Sequence, residues 1–140
     1  MWYCWKIGAT GSGYWAFGDT GGAASEWNGY AAPGSSFSPV YLDETSVTDA
    51  KHWEAVREGI EDYEYLVLLR DRLAELREAG VQSHQIEAAE QLLREAPQRV
   101  VPSYSPGDMA WKTPKDRSVA DQVRVEILRT LETLAGMGEG

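Results

Sequence analysis

The sequence predicts a mostly helical chain with one or two short strands, and three observations carry that expectation. Apolar residues recur at three- and four-residue spacing through 49–80, 83–97 and 118–136, the period of an amphipathic helix. Runs suited to strands are short, at Gly13–Phe17 and Val40–Leu42. Composition divides the chain in two: residues 1–42 hold 8 of the 14 Gly and 4 of the 6 Trp, but only three charges, Lys6, Asp19 and Glu26. The other 98 residues carry the remaining 32 of the 35 charges, so a Gly- and aromatic-rich front precedes a charged helical back.

Each element follows from its residues. Trp2–Ile7 is apolar on nearly every side, and so short a run leaves helix and strand undecided. Gly8 and Gly11 punctuate it, and the aromatic run Gly13–Phe17 suits a buried strand. From Gly18 to Thr48 the chemistry is that of a loop (Gly21-Gly22, Pro33-Gly34, Ser38-Pro39), with Val40–Leu42 as the one candidate extended piece. A loop of that length is far above the usual 4–6 residues, about, and points to a functional loop or lid. Thr48 or Asp49 can then cap the strongest helix. Its stripe runs Trp53, Val56, Ile60, Tyr63, Val67 and rotates through Leu66, Leu69, Leu73 and Leu76. It is apolar nearly all round from Tyr65 to Leu69, which calls for cover on more than one side. Gly80 stops it, and the mid-helix Gly59, at a cost of about 1 kcal/mol against Ala, suggests close approach of another backbone.

Ser83 opens a second helix with Ile86, Ala89, Leu92 and Leu93 on one face, ended by Pro97. Pro102, Pro106 and Pro114 mark 98–117 as a packed connector. Ser118 with Asp121 makes a start resembling a capping box, and Val119, Val123, Ile127, Leu128, Leu131 and Leu134 form the third helical face up to Gly136.

Composition also excludes functions. The net charge of −9 and the lack of a concentrated basic patch argue against nucleic acid. No window approaches the roughly 18 consecutive apolar residues of a membrane span, and no targeting segment is evident. Localisation stays unknown. Cys4, the single cysteine, offers neither an intrachain disulfide nor a thiolate metal site. His52 and His84 lie on different helices without a ligand at metal spacing, so neither a metal nor a cofactor is expected. Gly11-Ser12-Gly13 fits neither a nucleophile elbow nor a dinucleotide fingerprint. Glu58, Glu61, Asp62 and Glu64 are tempting as paired acids, but same-face side chains project in parallel and do not flank a glycosidic bond, so they read as a solvated or ion-paired face. The candidate binding residues are Trp15, Trp27 and Tyr30 with Asp19 beside them, aromatic rings for sugar C–H faces and a carboxylate for hydroxyls. The other reading of those aromatics is packing: Trp15 in a core and Trp27 pinning the loop.

The segment Arg57–Leu66, REGIEDYEYL, resembles the signature near the C-terminal end of glycoside hydrolase family 123, which contains N-acetyl-β-galactosaminidases. Gly11–Trp15 resembles that family's last barrel strand, although Lys51-His52-Trp53 departs from the Ser-x-Arg more usual before the helix. The resemblance implies a C-terminal fragment of a (β/α)8 barrel, with last strand, long loop and last helix in residues 1–78 and a helical extension in 79–140. It further implies that Asp19, Trp27 and Tyr30 border a pocket for an N-acetylhexosamine-type glycoside. The catalytic carboxylate pair would lie on an upstream part of the barrel, which leaves this chain inactive alone; members of that family are often exported. The alternative reading, from another class, is a non-enzymatic helical interaction module with an aromatic N-terminal arm.

Overall fold

The computed structural model describes residues 1–13, 39–102, 116 and 118–137. In chain order these form α1 (Trp2–Lys6), β1 (Val40–Leu42), β2 (Val47–Asp49), α2 (Lys51–Glu78), α3 (His84–Val100) and α4 (Ser118–Ala135). They fall into two compact units, one of Met1–Thr10 with Glu61–Gly140 and one of Gly11–Ile60.

In the first unit, one buried cluster joins Leu66, Leu69, Leu73 and Leu76 of α2 to Ile86, Ala89, Leu92 and Ala96 of α3 and Val123, Ile127 and Leu134 of α4. Trp2 of α1 belongs to the same cluster, at 6% exposure. The core stripe of α2 is therefore the leucine series, and Ile60 and Leu68 face solvent. Spacing places both sets on helical faces; contact with α3 and α4 selects the leucines.

The ends of the helices show why these residues stop where they do. Gly80 has a φ of +72°. With it there, the Gly80 N–H reaches Arg77 O and the Val81 N–H reaches Leu76 O, both at 3.0 Å, the paired bonds of a Schellman stop. Gly8, at φ +68°, does the same for α1, with Gly8 N–H on Trp5 O and Ala9 N–H on Cys4 O. Ser83 caps α3 as expected, its Oγ accepting from the Ile86 N–H at 3.3 Å. Pro97, by contrast, does not end α3: the helix runs on to Val100, and the Val101 N–H closes on Pro97 O at 2.9 Å. Proline withholds one N–H, but its ring is buried and the final turn needs only its carbonyl. The start of α4 differs too. Asp116 Oδ1 accepts from both the N–H (3.0 Å) and the Oγ (2.6 Å) of Ser118, so the cap lies upstream of the expected Ser118–Asp121 box.

In the second unit, β1 and β2 pair antiparallel in the register Val40↔Asp49, Tyr41↔Thr48, Leu42↔Val47. The strand at Val40–Leu42 was expected; its partner lies where the sequence suggested a loop and a cap. Thr48 and Asp49 are spent on the sheet, and α2 begins at Lys51.

This hairpin overturns the expected fold class. The described sheet is two-stranded, antiparallel and open, not the parallel sheet of a (β/α)8 barrel. The reason is the connection: the turn of 43–46, closed by the Asp43 N–H on Ser46 O at 2.9 Å, sends the chain straight back, whereas a parallel pair needs a crossover of about a dozen residues or more. The expected barrel-closing role, with its wall of a carbohydrate site, falls with it, as do the glycoside hydrolase and hexosaminidase terms built on that barrel. Trp2, in the aromatic front, is buried against the chain's own helices. Tyr14–Phe17, expected as a strand, lie outside the described residues.

Candidate functional site

The most developed polar constellation surrounds Asp62, the only buried charged residue among those described, at 4% exposure. Its position follows from the helix period. Counting back from Leu76, Leu73, Leu69 and Leu66, the next place on the core stripe is Asp62, so α2 carries a carboxylate where the pattern calls for an apolar side chain. A buried charge is tolerated only when paired and hydrogen-bonded.

Both conditions are met. Arg124 of α4 presents a two-pronged fork, Nε to Asp62 Oδ1 and Nη2 to Oδ2, the latter at 3.1 Å. The Trp2 indole Nε1–H donates to the same Oδ2 at 2.8 Å. Arg124 also reaches Asp121 through Nη1 at 3.1 Å, one helical turn away. Every buried side-chain N or O atom that is described has a hydrogen-bond partner. Asp62 thus ties α1, α2 and α4 at one point.

Beside it the arm makes a second set of contacts. Trp5 meets Tyr63 edge to face, with centroids 5.2 Å apart and ring planes at 72°. The Arg70 guanidinium lies 5.8 Å from the Trp5 ring centre, within cation–π range. Lys6 Nζ donates to Val101 O at 2.8 Å, where α3 ends, and the Tyr63 hydroxyl donates to Ala9 O at 3.3 Å. Charge meets carbonyl at the negative end of α3, the favourable sense for the helix dipole.

Elsewhere the first unit shows a shallow groove of about 580 Å³ lined by Leu68, Leu131 and Met137 with Asp71 and Glu75 at its edge. Arg72, on its wall, points into the end of α4 and donates to the carbonyls of Leu134 and Met137. On the far side, Arg77 and Glu90 link α2 to α3 at 2.8 Å. The hydrogen bond from Arg77 holds the Glu90 carboxyl below its ordinary range, and the same bond raises Arg77. Asp116 is likewise lowered, first by the Ser118 hydroxyl and then by its N–H.

Trp15, Asp19, Trp27 and Tyr30, the expected carbohydrate-binding set, all lie outside the described residues. Of the four clustered acids Glu58, Glu61, Asp62 and Glu64 on α2, Glu58 and Glu64 are exposed and Glu61 is half-buried. Asp62 alone is drawn inward, and it is ion-paired as the sequence allowed, though to Arg124 across the fold rather than to a neighbour on its own helix. The sequence leaves two apolar stripes open on α2, with Asp62 among acids that read as a solvated or ion-paired face, so its burial was not foreseen. The available signal was an acid at the fourth place before Leu66 on a stripe of leucines. No group of His, Cys, Asp and Glu able to hold a metal occurs among the described residues. No family model matches the chain, and neither a curated protein nor a solved structure does. The likeness of Arg57–Leu66 to a glycoside hydrolase signature rests on those ten residues.

Proposed function

We propose that the chain is a non-enzymatic helical interaction module: α2, α3 and α4 form a platform, and α1 is an aromatic arm seated on it. One observation carries this reading, the seating of the Trp2 indole on the Asp62–Arg124 pair. A buried ion pair contributes little net stability, since desolvation offsets most of the attraction, and its best-attested use is to fix which partner fits and in what register. Here the pair is spent on selecting an aromatic N–H donor. The polar groups of the site are thereby committed to holding an arm. The arm itself carries two indoles and a tyrosine within five residues, residue types that anchor protein contacts.

The test is whether the chain folds as one cooperative unit and carries no hydrolytic activity. Thermal unfolding of the purified chain, followed by far-UV circular dichroism and by Trp fluorescence, is expected to give coincident transitions. Incubation with nitrophenyl N-acetylhexosaminides is expected to release no nitrophenol. A non-cooperative melt, or turnover that co-purifies with the chain, contradicts the proposal.

A further inference from the structure

Two contacts fix how α2 and α4 lie. Asp62 meets Arg124, and further along Arg72 meets the Leu134 carbonyl, with the same offset of 62 residues each time. The two helices therefore run side by side in the same direction from position 62 to position 72 of α2, about 15 Å or nearly three turns. Between them lies the shallow groove of about 580 Å³, floored by Leu68, Leu76 and Ala79 on one side and Leu131, Ala135 and Met137 on the other. Leu68 is 54% exposed there, an apolar side chain left in water.

The α2 edge of this groove is acidic. Glu64, Leu68, Asp71, Glu75 and Glu78 follow at alternating steps of four and three residues, one stripe down the helix, and all are exposed. Exposed Glu132 adds an acid on α4. The nearby arginines are already engaged: Arg70 bonds Asp71, and Arg72 bonds Glu75 and the carbonyls of Leu134 and Met137. Among the described residues, Glu64, Glu78 and Glu132 form no ion pair. We infer that the groove docks an amphipathic helix of another protein, its apolar stripe on Leu68, Leu131 and Met137 and its lysines or arginines along the α2 acids. Charge selects this occupant. A row of carboxylates beside an apolar floor favours an apolar side chain flanked by cations and repels an acidic helix, and a second copy of this chain brings a net charge of −9. The inference rests on the interaction-module reading and gives the platform its partner.

Methyl NMR of the full chain, titrated with three synthetic peptides of about 18 residues, long enough to hold a helix, tests it. One carries a leucine stripe at helical spacing flanked by lysines, the second the same stripe flanked by glutamates, and the third the first peptide's residues in scrambled order. The lysine-flanked stripe is expected to shift the methyls of Leu68, Leu131 and Met137 saturably, and the other two to leave them in place. Leu68→Ser, at an exposed position, is expected to weaken that binding about tenfold, the order set by one leucine's burial. Glu64→Gln combined with Glu78→Gln is expected to weaken it about threefold at low salt and little at high salt. Circular dichroism reports whether Leu68→Ser keeps its helices; if it does not, the glutamine pair and the methyl shifts decide. Three results overturn the docking site: no shift at these methyls, equal binding of the scrambled peptide, or a glutamine pair that binds as wild type does. Self-association of the chain through the same methyls also overturns it, in favour of a second copy. A chain that melts cooperatively but fails these titrations loses this inference alone; a chain that does not melt cooperatively loses the reading beneath it.

Discussion

Removing the Asp62 carboxylate is the sharpest perturbation available. In Asp62→Ala the Trp2 N–H loses its acceptor inside the core, and Arg124 loses two of its hydrogen bonds. Breaking a buried pair by deleting one partner costs about 3–5 kcal/mol, and an orphaned buried N–H costs about 1–3 kcal/mol. These contributions overlap, because both describe one desolvated cluster. Arg124 also keeps 24% side-chain exposure and its contact with Asp121, which is 69% exposed, so the low end of the first range applies. A loss of about 3 kcal/mol is expected. Urea unfolding measures it as a lower midpoint at unchanged slope. Asp62→Ala, Arg124→Ala and the double variant form a cycle in which the double costs clearly less than the sum of the singles. If Asp62→Ala is no worse than Glu64→Ala, on an exposed position of the same helix, the reasoning about the buried pair is refuted.

Other outcomes follow from the same structure. Gly80→Ala is expected to cost about 1–2 kcal/mol by forcing a Cβ into the left-handed region, whereas Gly136→Ala, with open space and no positive φ, leaves the urea midpoint unchanged. Ser83→Ala removes the Ile86 cap and costs about 1 kcal/mol, read as a drop in the same midpoint. The Arg77–Glu90 link works with pH. Glu90 is lowered in the folded chain, so its contribution is present above its unfolded pKa and fades as pH falls through the lower folded value. Thermal scans of wild type and Glu90→Gln are expected to converge in acid, and to converge in high salt at neutral pH because the pair is exposed.

Much of the helical scaffold is readable from local chemistry. Ser83, Gly80 and the Val123–Ile127–Leu134 stripe act through neighbours within a turn or two, so their roles appear in the sequence. What escapes is whatever depends on distant partners. Two helical faces of α2 looked apolar, and only the packing of α3 and α4 chose between Leu66–Leu76 and the Ile60–Val67 side. Asp62 was grouped with its exposed neighbours because its partner Arg124 is 62 residues away. The hairpin was lost because Val47–Asp49 is three residues long and its Thr and Asp are equally good helix caps. Pro97 misled for the opposite reason: a local rule about helix breaking yielded to burial in the last turn.

The seating of Trp2 is most directly read from its indole N–H. Hydrogen exchange followed by NMR, with the resonance assigned through Trp2→Phe, reports whether that proton is held. Protection close to that of the slowest core amides, abolished in Asp62→Ala, is the expected result. An indole proton that exchanges as fast as that of a free tryptophan would contradict the account.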